Sequence, residues 1–328
     1  MTSDLKRILM VEPMDDVGPA LLKERGGFDV IAAPDTRPET LVAMAEDIQA
    51  IAVRTAPMPA AVLAAFGDLE IVSRHGVGCD NLDVPHLTGR AIPIAIALNA
   101  NAVSVAEHAM MLMLALARKL RAQDRAVRAG RFSERNTMIA GDLHGATVLV
   151  VGFGGTGSLV AARCRAFGMT VVICSPSFGE QQADASGYEC ATDLQEALAR
   201  ADFVSLHLPL NRETRHLFSD RLFDAMKPGA VLVNCARGGI VDEAALIRAL
   251  DRGQLSAAGI DVFAEEPPSA DHPLFTRDDV LLTPHNGTAS HGAMREMSRM
   301  TFQNILDFFD GCLQPRHTFN PEAIRTSR

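Results

Sequence analysis

Thr147-Val148-Leu149-Val150-Val151-Gly152-Phe153-Gly154-Gly155-Thr156-Gly157 decides how this chain folds. The first five residues are β-branched or aliphatic without interruption, as expected of a strand covered on both faces. They run directly into a Gly-x-Gly-x-x-Gly turn. Beyond it Leu159, Val160, Ala161, Cys164 and Phe167 recur at helical spacing, Gly168 ends the helix, and Thr170-Val171-Val172-Ile173-Cys174 reads as a second strand. Strand, glycine turn, helix and strand make one βαβ unit. Its glycines serve a tight turn, close backbone approach to a pyrophosphate and close helix–strand packing. The helix N-terminus offers free N–H groups and a positive dipole end to the phosphates. The expectation is a dinucleotide site.

Outward from this unit the same pattern repeats. Residues 202–206, 230–234, 259–262 and 280–283 read as further buried strands, each followed by polar residues or Gly and Pro at its C-terminal end, where open α/β sheets place ligands. Upstream, 103–128 reads as one long helix, with Ser104 and Glu107 spaced as a capping box. Residues 7–100 alternate short strands (8–11, 28–32, 50–53, 71–73, 92–96) with helices (17–24, 38–46, 59–66), a flavodoxin-like α/β pattern without a Gly-x-Gly-x-x-Gly. That half is expected to shape the substrate side. A last helix over 290–310 is expected to carry the chain back to it.

Composition limits what such a chain does. Its 328 residues suffice for two domains, and 48% are apolar. The formal net charge is −9, and no Lys/Arg cluster is interleaved with aromatics, so nucleic-acid binding is disfavoured. Cysteines 79, 164, 174, 190, 235 and 312 are scattered without metal spacing, which points to reduced thiols and no metal site. No apolar stretch reads as a signal core or a membrane span, so a cytoplasmic location and no membrane partner are expected.

Three polar residues stand at three separate strand ends: Arg237 after 230–234, Glu266 after the strand at 259, and His285 after 280–283. In a parallel sheet all three converge on the crevice that a dinucleotide enters. An arginine clamps a carboxylate through its planar fork. A histidine moves one proton, and a carboxylate beside it fixes its orientation and favours the imidazolium.

These runs together resemble the D-isomer-specific 2-hydroxyacid dehydrogenase family, which includes phosphoglycerate, glycerate and D-lactate dehydrogenases and hydroxypyruvate reductases. The resemblance rests on Ser104-Val105-Ala106-Glu107-His108, the glycine turn, Met226-Lys227-Pro228-Gly229 through Gly238, and Asp242-Glu243-Ala244-Ala245-Leu246. It continues through Asp261-Val262-Phe263, Glu265-Glu266-Pro267 and Thr283-Pro284-His285. It implies a Rossmann-type doubly wound cofactor domain over 102–287 and a smaller flavodoxin-like substrate domain from 1–101 and 288–328. Two hinges would join them, with a homodimer through the cofactor domains.

By the resemblance Arg237 holds the substrate carboxylate and carbonyl oxygen, and His285 is the acid/base with Glu266 as partner. Asp261 meets the nicotinamide amide. Gly152, Gly154, Gly155, Thr156 and Gly157 lie at the pyrophosphate, and Leu208, Cys235 and Ala236 line the cofactor cleft. Arg54, Val77 and Gly78 belong to the substrate side, Val77 also touching the cofactor. The implied reaction passes hydride between NAD(P) and C2 of a small 2-hydroxy or 2-oxo acid.

Two departures from the family matter. Ser175 stands where NAD-specific members usually carry Asp, and no Arg or Lys follows it, so NAD, NADP and dual use stay open. The chain also ends soon after its last helix, so the regulatory domain of some phosphoglycerate dehydrogenases is not expected. A formate dehydrogenase shares the architecture but pairs its histidine with Gln, which Glu266 opposes. The other alternative is a nucleotide-sensing scaffold of the corepressor type. The sequence leaves 3-phosphoglycerate, D-glycerate and hydroxypyruvate or glyoxylate open as substrates. Arg54, Arg74 and His75 are the candidate cations for a phosphate.

Overall fold

The computed structural model describes residues 5–325, which divide into two compact units, one of residues up to Asn101 and from Ala289 on, the other Ala102–Thr288. The first unit carries β1 (Lys6–Met10), β2 (Phe28–Ala32), β3 (Ala50–Val53), β4 (Ile71–Arg74) and β5 (Ile94–Ile96). All pairings are parallel in the order β2-β1-β3-β4-β5, the flavodoxin-like order. Alternation along the strands sends Ile8, Ala52 and Ile71 to one face and Leu9, Ile51 and Val72 to the other. The first face is covered by helices Val17–Arg25 and His291–Phe309, through Leu22, Phe302 and Ile305. The helix His291–Phe309 therefore returns to this unit, its N-terminus capped by the Ser290 hydroxyl, and a short helix Glu322–Arg325 follows it.

The second unit carries β6 (Thr147–Val151), β7 (Thr170–Cys174), β8 (Glu189–Cys190), β9 (Phe203–Leu206), β10 (Ala230–Asn234), β11 (Leu255–Ile260) and β12 (Val280–Leu282). The order β12-β11-β10-β9-β6-β7-β8, parallel throughout, reverses direction between β6 and β9, the switch point where Rossmann-type sheets bind ligands. Val148, Val150 and Ile173 face helices Ala102–Ala117 and Gly155–Ala166, while Leu149, Val151 and Leu232 face helices Asp220–Ala225 and Glu243–Asp251. Both faces are buried, which is why these strands are apolar without alternation.

Three expectations change. The long helix over 103–128 is two helices, Ala102–Ala117 and Leu120–Arg128, broken at Lys119, whose φ is +53°. Arg125 pairs both guanidinium nitrogens with Asp278 at 2.9 and 3.0 Å, and Arg121 donates to the carbonyls of Arg277 and Val280. These long-range partners redirect a segment whose own residues favour a continuous helix. Ser104 is not a cap, because the helix already starts at Ala102. Its hydroxyl donates to the Gly287 carbonyl at 2.8 Å, and Glu107 pairs with Arg163. The strand expected at 259–262 runs instead over Leu255–Ile260, so Asp261 and Val262 lie beyond its end. Its opening Leu-Ser-Ala-Ala carries no β-branched residue and gives no strand signal.

Candidate active site

The glycine turn follows β6 as its residues require. Gly152 has φ +96°, and a Cβ there would strike the His207 carbonyl. A Cβ on Gly157 would strike the Gly152 carbonyl, so the helix Gly155–Ala166 starts against the turn with no room for a side chain. Gly154 faces open space, and Thr156 lies in the first helical turn. Leu208, after β9, sits beside Gly152. Cys235 and Ala236 follow β10. Cys235 is buried, and burial followed by the nearby Asp261 charge pushes its thiol upward. These residues gather at the C-terminal ends of the central strands, a backbone cradle that suits a pyrophosphate.

Ser175 follows β7, its hydroxyl 3.0 Å from that of Ser177. Phe178 packs edge-on against Phe153 at 4.6 Å between centroids, which holds the 175–179 segment against the glycine turn.

Toward the other edge of the sheet, β10, β11 and β12 deliver the three polar residues. Asn234 shapes the turn after β10: its amide nitrogen donates to the Arg237 carbonyl and its oxygen accepts from the Ala236 amide, both at 3.0 Å. The Arg237 guanidinium donates to the Ala236 carbonyl at 2.7 Å and lies near enough to Glu266 to lower its carboxyl. Glu266 Oε1 accepts from the Phe263 amide at 3.0 Å, and Oε2 lies 2.6 Å from His285 Nδ1. Burial alone would raise the Glu266 carboxyl, but these hydrogen bonds outweigh it and hold the group below its usual range. Glu266 is thus ionised at neutral pH. The two side chains are 36% and 42% exposed, so the pair is within reach of a ligand.

His285 adopts φ +49°, a left-handed conformation that a non-glycine residue takes only when its surroundings enforce it. Asp261 does the enforcing. Its carbonyl accepts from the His285 amide at 2.7 Å, and its carboxylate accepts from the Asn286 and Gly287 amides, each at 3.0 Å. The Thr283 hydroxyl adds a fourth bond at 2.6 Å. Burial opposes the charge, but His108, the Thr283 hydroxyl and the Gly287 amide hold the carboxyl down at about 2. Asn234, His108 and Thr283 received no role from the sequence. The one signal available was that each lies inside a run shared with the family.

In the first unit Arg54 follows β3. The Glu12 carboxylate accepts from the amides of Arg54 (2.6 Å), Thr55 (2.7 Å) and Ala56 (2.9 Å), which fixes the backbone beneath that arginine. Val77 and Gly78 follow β4, both half-buried. Of the candidate phosphate cations, His75 is 1% exposed, and burial with the neighbouring Arg54 and Arg74 charges pushes its imidazole down to about 4. It is neutral at physiological pH and supplies no cation. The Arg74 guanidinium donates to the His75 carbonyl at 2.5 Å. Among the described residues no group of His, Cys, Asp and Glu suits a metal ion, and no helix is long and apolar enough to cross a membrane.

Residues 110–287, which include the seven-stranded sheet with Arg237, Glu266 and His285, match the family described as D-isomer specific 2-hydroxyacid dehydrogenase, NAD binding domain. The chain belongs to that family. Among curated 2-hydroxyacid dehydrogenases it is 36% identical over 322 residues to D-3-phosphoglycerate dehydrogenase of Archaeoglobus fulgidus, a match covering 98% of this chain and 60% of the relative. Such relatives are longer: the chain spans about half their length, 46% in an Arabidopsis thaliana enzyme. Among solved structures, D-lactate dehydrogenase from Aquifex aeolicus, complexed with NAD and lactic acid, is 25% identical with a TM-score of 0.84, covering 96% of this chain and 99% of that one. An NADPH-dependent glyoxylate/hydroxypyruvate reductase from Sinorhizobium meliloti is 29% identical with a TM-score of 0.82, covering 93% and 95%. The family membership carries an NAD(P)-binding Rossmann-type domain with it.

Proposed function

We propose that this chain is an NAD(P)-dependent oxidoreductase acting between a small D-2-hydroxy acid and its 2-oxo acid. The observation that carries the reading is the 2.6 Å contact between Glu266 and His285 at the ligand-binding edge of an NAD-binding domain. The cofactor fits what is there: a glycine turn with no room for side chains, a helix N-terminus above it, and open space at Gly154. Bound there, the nicotinamide supplies or accepts the hydride. The chain supplies the rest. Arg237 binds the carboxylate and orients the carbonyl, and His285 carries the proton that the oxygen gains or loses. Glu266, ionised beside His285, fixes the ring. Asp261 meets the nicotinamide amide, and Ser175 faces the adenosine ribose.

Residues 102–287 act as the cofactor domain, with Gly152, Gly154, Gly155, Thr156, Gly157, Leu208, Cys235 and Ala236 in contact with the dinucleotide. Residues 1–101 and 288–328 act as the substrate domain, through Arg54, Val77 and Gly78. The neutral state of His75 leaves the arginines as the cations for a 3-phospho group, and weakens the case for one. The reading includes a homodimer through the cofactor domains. It is supported by the exposed apolar side chains of that unit, Met111, Leu120, Phe132 and Phe167 among them. Six free cysteines support a cytoplasmic location.

The test is a screen of glyoxylate, hydroxypyruvate, its 3-phosphate and pyruvate with NADH and with NADPH, following cofactor oxidation. Turnover of one or more is expected. NADH binding without turnover of any 2-oxo acid would favour a nucleotide-sensing scaffold instead.

A further inference from the structure

The helix Ala102–Ala117 grips the turn that bears His285 at both of its ends. At the far end Ser104 donates to the Gly287 carbonyl at 2.8 Å. At the near end, one helical turn later, His108 Nε2 lies 2.9 Å from the Thr283 hydroxyl oxygen and 3.3 Å from Asp261 Oδ1. The helix comes this close because Gly259 of β11 lies under it; a Cβ there would stand 3.1 Å from Leu112 Cβ, which follows His108 by one turn.

The proton positions follow from counting donors. Asp261 Oδ1 can only accept, and the Thr283 oxygen is 2.6 Å from it, so the single hydroxyl hydrogen of Thr283 points there. The Thr283 oxygen must then accept from His108, which places a hydrogen on His108 Nε2. Donation runs one way: His108 to Thr283 to Asp261, with Asp261 also receiving the amides of Asn286 and Gly287. His285 sits midway in this turn, in its left-handed conformation.

We propose that His108 and Thr283 are positioning residues for His285, their donor chain into Asp261 holding the 283–287 turn in the one conformation that brings the imidazole against Glu266. This rests on His285 being the proton carrier of the proposed reaction. Neither residue touches the reacting atoms. Without the chain the turn relaxes from its left-handed state, and His285 Nδ1 leaves Glu266.

The experiment compares His108→Leu, His108→Gln, Thr283→Val and Thr283→Ser. His108→Leu and Thr283→Val are expected to lower kcat roughly 100-fold, the scale of a displacement of about an ångström, with KM for the 2-oxo acid little changed. His108→Gln, whose amide offers an N–H at nearly the same reach, and Thr283→Ser are expected to restore most of the loss. NADH affinity, measured by fluorescence titration, is expected to hold in all four. A second readout needs no turnover: the hydrogen-bonded Nδ1 proton of His285 in the NMR spectrum. It is expected in wild type and in the Gln and Ser variants, and lost in the Leu and Val variants.

A full kcat in His108→Leu overturns the inference, even where melting temperature falls, since a merely structural role does that. So does a persistent Nδ1 resonance in that variant, or NADH affinity that falls in step with kcat. If wild type turns over no 2-oxo acid while the resonance follows the expected pattern, the proposed function fails and the positioning role stands.

Discussion

At the scale of single residues, Arg237 and Glu266 test two separable tasks. Arg237→Lys keeps a positive charge but loses the planar fork that matches a carboxylate, so kcat/KM should fall ~100-fold or more while NADH affinity stays near wild type. Near-normal kinetics would remove Arg237 from the substrate clamp. Glu266 acts through charge. Its carboxyl is held below the usual range, so it is a carboxylate across the neutral region, 2.6 Å from His285 Nδ1. In the proposed reaction His285 delivers the proton to the 2-oxo oxygen. Glu266→Gln removes the negative charge beside the imidazole, so kcat for reduction should fall ~10- to 100-fold while NADH affinity stays near wild type. An unchanged kcat would mean that the charge of Glu266 has no part in the proton step.

What the sequence revealed at this scale was position along the chain. Arg237, Glu266 and His285 are legible as polar residues at strand ends, because apolar runs announce the strands. His108 and Thr283 are not, because their hydrogen bonds reach residues far along the chain, and Asn234 is not, because its bonds two and three residues on only shape the turn that carries Arg237. His108 meets Thr283 across 175 positions, and no local pattern encodes that.

At the scale of elements, local propensity located the strands whose residues form a largely buried apolar run. The ranges for β3, β6, β7 and β10 are the ranges read from the sequence. It failed where tertiary partners decide. Lys119 breaks a helix that its own residues would continue, and β11 opens on small residues that signal no strand. The segment after β7 is a third such element. Phe178 against Phe153 pins it, the Gln182 side chain accepts from the Gly179 amide at 2.7 Å, and Ser175 and Ser177 present neutral hydroxyls.

A carboxylate at Ser175 would accept from the ribose hydroxyls and repel a 2′-phosphate; a guanidinium would bind one. This segment has neither. Since a neutral hydrogen bond contributes about 1 kcal/mol, the preference between NAD and NADP should not exceed the order of tens. Ser175→Asp should raise selectivity for NAD chiefly by weakening NADP. The measurement is kcat/KM for NADH and NADPH with one 2-oxo acid. A wild-type preference near a thousandfold would show that another residue reads the 2′ position.

At the scale of the whole molecule the question is what covers the outer surface of the helix Ala102–Ala117. Its inner side is fully used: Ala106, Ala109, Leu112 and Met113 are buried against the sheet. Its outer side is apolar as well. Met111 is 46% exposed, and with Met110, Leu114, Leu120 and Phe167 it lines a depression edged by Glu107, Arg118 and Arg163. A helix apolar all round belongs in an interior, so an apolar outer side supports the proposed homodimer. In the proposed homodimer a second copy of the chain brings an equally apolar patch across a twofold axis, while the rim pairs Glu107–Arg163 and Arg118–Asp142 stay within each copy. Sedimentation of the wild type should therefore give twice the chain mass over a wide concentration range. Met111→Asp combined with Phe167→Asp places two like charges in each patch and four across the axis, and should give the single-chain mass. Because both side chains are already half in water, the monomer should keep its far-ultraviolet circular dichroism and its affinity for NADH. A wild type that sediments as a single chain at every concentration would sink the homodimer. A double variant that still dimerises would move the interface to another face of the unit.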